Sequence, residues 1–238
     1  MNTIAEYFVP EWVSLVFLMA IPLPFLLILL QIKKEANKLG KPQVFRRVLV
    51  FFMIYVAYIV IAAYSGWFKK VFMPPMVLLL STFPYAFFIF TYVLNTKIYQ
   101  SILNSVKLAD LVQLHIFRLI GVFFVILALY DALPGYFAFI AGFGDMITAI
   151  SSIFVARAIQ QKKSYARKLT IFWNIFGTID ILFTAIAANV LTYISIKTGT
   201  MGVDTLAIFP FCLIPAFAPP TILFIHWTIH KKLQEKHT

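Results

Sequence analysis

One cysteine, Cys212, is all the thiol this chain has, so neither an intrachain disulfide nor a thiolate metal cluster can form within it. Charge is nearly as scarce. Only 12% of the 238 residues are charged, against about 25% in soluble domains. The first 32 residues hold no Lys or Arg, so they lack the basic start of a signal peptide and the first apolar segment is expected to be retained. No Walker A, GxSxG or HExxH pattern occurs, which removes the best-marked soluble enzyme classes. Low-complexity tracts, long linkers and internal repeats are missing as well, and residues 1–238 read as a single domain.

What is present is apolar. Hydrophobic residues make up 62% and aromatics 17% of the chain, at a mean hydropathy of +0.91. A soluble core of this length has no use for so much apolar surface, so an all-α, multi-pass membrane bundle is expected. About 20 apolar residues cross a bilayer as a helix, and seven segments meet that length. They run approximately over Trp12–Ile32, Val48–Trp67, Met73–Leu94, Val112–Tyr130, Tyr136–Val155, Leu169–Tyr193 and Leu206–Ile229. The longest polar connection, Asn95 to Gln113, carries Ile98, Ile102, Val106, Leu108 and Val112 at helical spacing, which predicts a short interfacial helix.

The net charge of +11 is an orientation signal. Six basic residues lie in the first loop, two in the third, five in the fifth and three in the C-terminal tail (Lys231, Lys232, Lys236). The opposite side has only Lys69, Lys70 and Lys197. Basic loops stay cytoplasmic, so the N-terminus is expected outside and the C-terminus in the cytoplasm of a bacterial inner membrane. The charges serve headgroups and orientation, and nucleic acid is not an expected partner. Trp12, Trp67 and Trp227 fall near segment ends, where indole rings settle at headgroup level; Trp173 is the exception, a turn inside its helix.

Prolines interrupt the first, third and last segments, at Pro22 and Pro24, at Pro84, and at Pro210, Pro215, Pro219 and Pro220. Each interior proline frees a helical carbonyl, which in a membrane must be met by a neighbour, a side chain or water. Packing kinks are the simpler reading; a broken helix lining a cavity is the other.

Against this background Arg118 and Asp145 stand out, for both lie inside hydrocarbon-length segments. Such a group costs roughly 2.5–3.5 kcal/mol to insert and marks a candidate functional site. His115 lies a turn nearer the cytoplasm than Arg118. Thr148 and Ser152 continue the face of Asp145, and Trp173, Asn174, Gly177, Asp180 and Thr184 mark the next segment. These side chains, within about 112–230, predict one polar, cytoplasm-facing pocket. One aspartate is expected to pair with Arg118, and the other to be protonated or offset by a histidine or a cation. Gly142 and Gly144 are expected to allow close helix packing. His226 and His230, four residues apart, have metal-ligand spacing, so zinc is an open alternative to headgroup contact. Bis-histidine haem between His115 and His226 is a second alternative, and no resident cofactor is expected.

Three resemblances bear on these residues. Seven helices with an outside N-terminus resemble microbial rhodopsins, but Leu206–Ile229 holds no lysine, so retinal is not expected. The last-segment HxxxH resembles membrane hydrolases that include alkaline ceramidases and progestin/adiponectin-type receptors. Those also need His and Asp in early helices, and segments two and three have neither. A closer likeness covers about residues 115–230. Arg118-x-x-Gly121, Leu133-Pro134, Phe137-Ala138, Ala141-Gly142-x-Gly144-Asp145, Trp173-Asn174-x-x-Gly177-x-x-Asp180, Phe209-Pro210, Ile214-Pro215 and His226 resemble an uncharacterised family of small bacterial polytopic inner-membrane proteins. That resemblance implies a site but no activity. The leading expectation is a carrier linking a small, anionic solute to proton movement, with Arg118 binding an anionic group or neutralising a carboxylate. A lipid or isoprenoid enzyme and a sensory or assembly protein are the alternatives.

Overall fold

A computed structural model describes residues 3–235 of the chain, and it is all-helical apart from one isolated bridge between Thr3 and Lys70. Eight helices follow in order: α1 (Glu11–Lys38), α2 (Gln43–Tyr64), α3 (Leu78–Asn95), α4 (Lys97–Ser105), α5 (Leu108–Leu129), α6 (Gly135–Gln160), α7 (Ala166–Thr198) and α8 (Leu213–Gln234). Six of them, all but α4 and α8, are long and apolar enough to cross a membrane. Their outer faces carry large bare hydrophobics, as on α7, where Phe172, Ile175, Ile179, Phe183 and Ile186 are exposed. Surface of that kind suits lipid and not water.

The expected seven spans are therefore six by length and composition. The difference lies in the last segment. Asp204–Ala207 forms a short 3-10 turn, held by the Thr205 hydroxyl on the Ala132 carbonyl (2.6 Å). Helix α8 begins only at Leu213, with Pro215 in its first turn, where a missing N–H is harmless. Its remaining length includes His226, His230, Lys231 and Lys232, so too little of it is apolar. Most of α8 is instead packed inside the protein, with Phe217, Ile222, Ile225 and Ile229 buried. The expected interfacial helix is present as α4, and α1 extends beyond the expected Ile32 to Lys38.

In α8 and α3 the proline-freed carbonyls have named partners. Pro219 and Pro220 sit inside α8, and they leave the carbonyls of Pro215 and Ala216 without helical donors. The Thr82 hydroxyl donates to the first (2.7 Å) and the Tyr55 hydroxyl to the second (2.9 Å). In α3 the Leu80 carbonyl, four residues before Pro84, accepts from the Tyr58 hydroxyl (2.8 Å). Two π-type turns, Leu78–Thr82 and Phe88–Tyr92, flank the α-helical Phe83–Phe87 in that helix. Pro84, Pro219 and Pro220 act as hydrogen-bonded kinks, the simpler of the two readings.

The loops gather at two ends. At one, Lys34 pairs with Asp110 (2.6 Å), Ser105 donates to the fully buried Glu35 (2.6 Å), and Lys232 donates to the Leu103 carbonyl (2.7 Å). These contacts collect the heavily basic loops and the tail; Lys236 lies outside the described residues. At the other end the Ile4 N–H donates to the Lys69 carbonyl (2.9 Å), and Lys69 pairs with Glu6 (2.7 Å).

Candidate functional site

Helix α5 changes character where the charge lies. His115–Gly121 is a 3-10 stretch between α-helical turns, longer than the usual three or four residues. A 3-10 helix stacks residues three apart on one edge. His115, Arg118 and Gly121 therefore form a single buried ridge. The ridge fits α6 closely, because a Cβ on Gly121 would overlap the Asp145 side chain. A Cβ on Gly144 would overlap Asp180, and one on Gly177 would come within 2.7 Å of the His226 ring. Gly142 lies against Val125 and the Gly121 carbonyl, which bears out its expected packing role. Four helices thus converge at near-contact distance around one guanidinium.

Arg118 is 1% exposed and satisfies both carboxylates at once. Its Nε donates to Asp145 Oδ1 at 2.7 Å, and its Nη2 donates to Asp180 Oδ2. The expectation of a single aspartate partner is replaced by a shared one. The remaining nitrogen, Nη1, reaches the Gly177 carbonyl (3.2 Å) and His226 Nε2 (3.3 Å). A guanidinium can only donate, so His226 Nε2 accepts and the ring hydrogen sits on Nδ1. That hydrogen points to Asn174 Oδ1 (2.9 Å), and Asn174 Nδ2 donates to the His226 carbonyl (3.3 Å). The pattern fixes His226 as the neutral Nδ1–H tautomer.

His115 is different. It is fully buried, its ring centroid lies 4.1 Å from that of His226 and 5.0 Å from that of Trp173, and neither ring nitrogen has a hydrogen-bond partner among the described residues. Trp173 donates its indole N–H to Ser151 Oγ (3.0 Å) and the Thr148 carbonyl (3.2 Å). The Thr148 hydroxyl turns back to the Gly144 carbonyl (2.9 Å). Thr148 and Trp173 are therefore the wall of the cluster, while Arg118, Asp145, Asp180, Asn174 and His226 are its bonded members.

His226 and His230 part company. His226 is buried with both nitrogens engaged, whereas His230 is exposed beside Trp227 and contacts Gln234 (2.9 Å). No group of three or more His, Cys, Asp or Glu among the described residues is placed to hold a metal ion. Spacing at i and i+4 did not reveal that His226 serves Arg118. The signal that could have done so is Asn174, a buried amide that needs a partner of its own.

A cavity of about 410 Å³ lies at the other end of the protein, and none of the cluster residues lines it. Its wall includes Asn189, Thr192 and Ser195 from the C-terminal half of α7, together with Asp204. Nothing in the sequence marks this region, because single Asn, Thr and Ser residues near a helix end carry no distinctive spacing.

No curated protein and no solved structure matches the chain. A family model does, over residues 73–234, and that stretch contains the whole charged cluster and the expected likeness over 115–230. The chain belongs to the family described as Domain of unknown function (DUF8737).

Proposed function

We propose that this protein is a proton-linked carrier of a small solute in a bacterial inner membrane. In this reading α8 crosses as a seventh helix shielded by its neighbours, the N-terminus lies outside, and the basic end faces the cytoplasm. One observation carries the reading: two carboxylates share a single guanidinium inside apolar spans. With both aspartates ionised the cluster holds one negative charge too many, and an uncompensated charge is costly at that depth. Uptake of one proton balances it, and release of that proton restores the imbalance. The cluster is thereby a site whose charge state changes by one while Arg118 holds its geometry.

The engagement of both His226 nitrogens weighs against a metal-dependent enzyme built on His226 and His230. A second reading, in which the cluster is a fixed clasp between helices, is favoured by the tight packing at Gly121, Gly144 and Gly177. Proteoliposomes carrying a pH-sensitive dye separate the two. The carrier reading predicts proton movement driven by a solute gradient and abolished in Asp180→Asn protein that still folds. Equal proton movement in Asp180→Asn and wild type would contradict it.

A further inference from the structure

The cavity beside Asp204 has a chemical bias of its own. Its volume of about 410 Å³ falls in the range of roughly 300–1,000 Å³ common for small-molecule sites. On the α7 side, Asn189 and Thr192 are three residues apart and so share a face. Asn189 Nδ2 donates to the Ala185 carbonyl (2.8 Å), and the Thr192 hydroxyl donates to the Ala188 carbonyl (2.9 Å). The Thr192 hydroxyl hydrogen and one of the two Asn189 amide hydrogens are therefore used within the helix, which leaves Asn189 Oδ1 and the Thr192 lone pairs as acceptors beside one amide hydrogen.

Asp204 closes the same cavity from the loop after α7. One of its oxygens accepts the Ala5 N–H (3.3 Å), and among the described residues no Lys, Arg or His forms an ion pair with it. Burial holds its carboxyl above the usual carboxylate range, and the Ala5 N–H offsets that in part. Tyr7 also lines the cavity, and its phenol is pushed up by burial and then by the charge of Asp204. Phe68 adds a second aromatic wall. Lys70 is the one basic residue in the lining, and it is exposed to solvent. A half-buried carboxylate without a cation, an acceptor-bearing helix face and aromatic walls together describe a receptor for a positive charge on an apolar body.

We propose that this cavity binds a small organic cation, a protonated amine with an apolar body, with Asp204 as its counter-ion. This names the solute of the carrier proposed above and rests on that reading for transport, while binding stands on the cavity alone. The amine head lies between Asp204 Oδ1 and the Asn189 and Thr192 oxygens, and the apolar body lies against Phe68 and Tyr7.

Calorimetric titration of the full-length protein in detergent with benzylammonium, benzyl alcohol and benzoate tests the proposal. Benzylammonium is expected to bind saturably and benzoate not to bind. Asp204→Asn keeps an acceptor for the Ala5 N–H and should weaken ammonium binding about tenfold or more, the scale of losing a charged hydrogen bond. Thr192→Val should weaken it about threefold, as for a neutral hydrogen bond. A thermal melt of each variant checks that it folds. Binding of benzoate or benzyl alcohol as tight as that of the ammonium, or ammonium binding unchanged in Asp204→Asn, would overturn the proposal. The titration reads no proton movement, so failure here leaves the proton site standing, and failure of the proteoliposome test leaves this site standing.

Discussion

Removing Arg118 and removing one of its aspartates are different experiments, because the guanidinium is shared. Arg118→Gln strands two buried carboxylates, and breaking a buried pair from one side costs about 3–5 kcal/mol. It should lower the melting temperature in detergent more than Asp145→Asn or Asp180→Asn does. Adding Asp145→Asn to Arg118→Gln still leaves Asp180 without its cation. Only the triple variant, with all three charges removed, should recover most of the lost stability. Full recovery in the double variant would mean that Asp180 carries no share of the guanidinium. Arg118, Asp145 and Asp180 were legible in the sequence because charge is so scarce in these segments. Their sharing was not, since helical spacing places residues on a face without saying which face meets which neighbour. The 3-10 stretch that aligns His115, Arg118 and Gly121 was hidden for a related reason: its sequence, HIFRLIG, is apolar enough to serve either helix type.

At the scale of elements, hydroxyls from α2 and α3 hold the kinked helices together. Tyr58→Phe should leave the half-buried Leu80 carbonyl without that donor, at about 1 kcal/mol or more. Pro84→Ala restores the missing N–H, so the double variant should regain much of that loss in a thermal melt. A Tyr58→Phe protein as stable as wild type would show that the tyrosine does not serve the carbonyl. The sequence announced these kinks through proline positions, and it even marked which carbonyls would be freed. It did not mark the partners, which come from tyrosines and a threonine distant in the chain. The end of the last segment misled for a simpler reason. Leu206–Cys212 is apolar enough to read as helix, yet Thr205 ties the preceding 3-10 turn to Ala132 and the helix begins only at Leu213.

Across the whole molecule, the charged cluster and the cavity beside Asp204 lie at different levels along α7. Asp180 and Ala188 are eight residues apart on α7, about 12 Å along a helix. The cavity end has its own titration. Asp204 is held above its ordinary value of 3.8 chiefly by burial, so the folded state binds its proton more tightly than the unfolded chain does. That contribution is present below the unfolded value and lost as pH rises through the folded one. Asp204→Asn should therefore gain stability relative to wild type as pH rises through the mildly acidic range, in melts that compare the two proteins. A constant difference across that range would show that burial of Asp204 carries no linkage. At the charged cluster the central question is whether the shared arginine leaves room for a proton. Infrared difference spectra of the membrane-reconstituted protein across a pH step read this directly, through the carbonyl stretch of a protonated carboxylic acid. A band that appears and vanishes with pH, and is lost in Asp145→Asn or Asp180→Asn, is the predicted result. Two aspartates that stay ionised at every pH at which the protein remains folded would make the cluster a fixed clasp and contradict a proton-linked site.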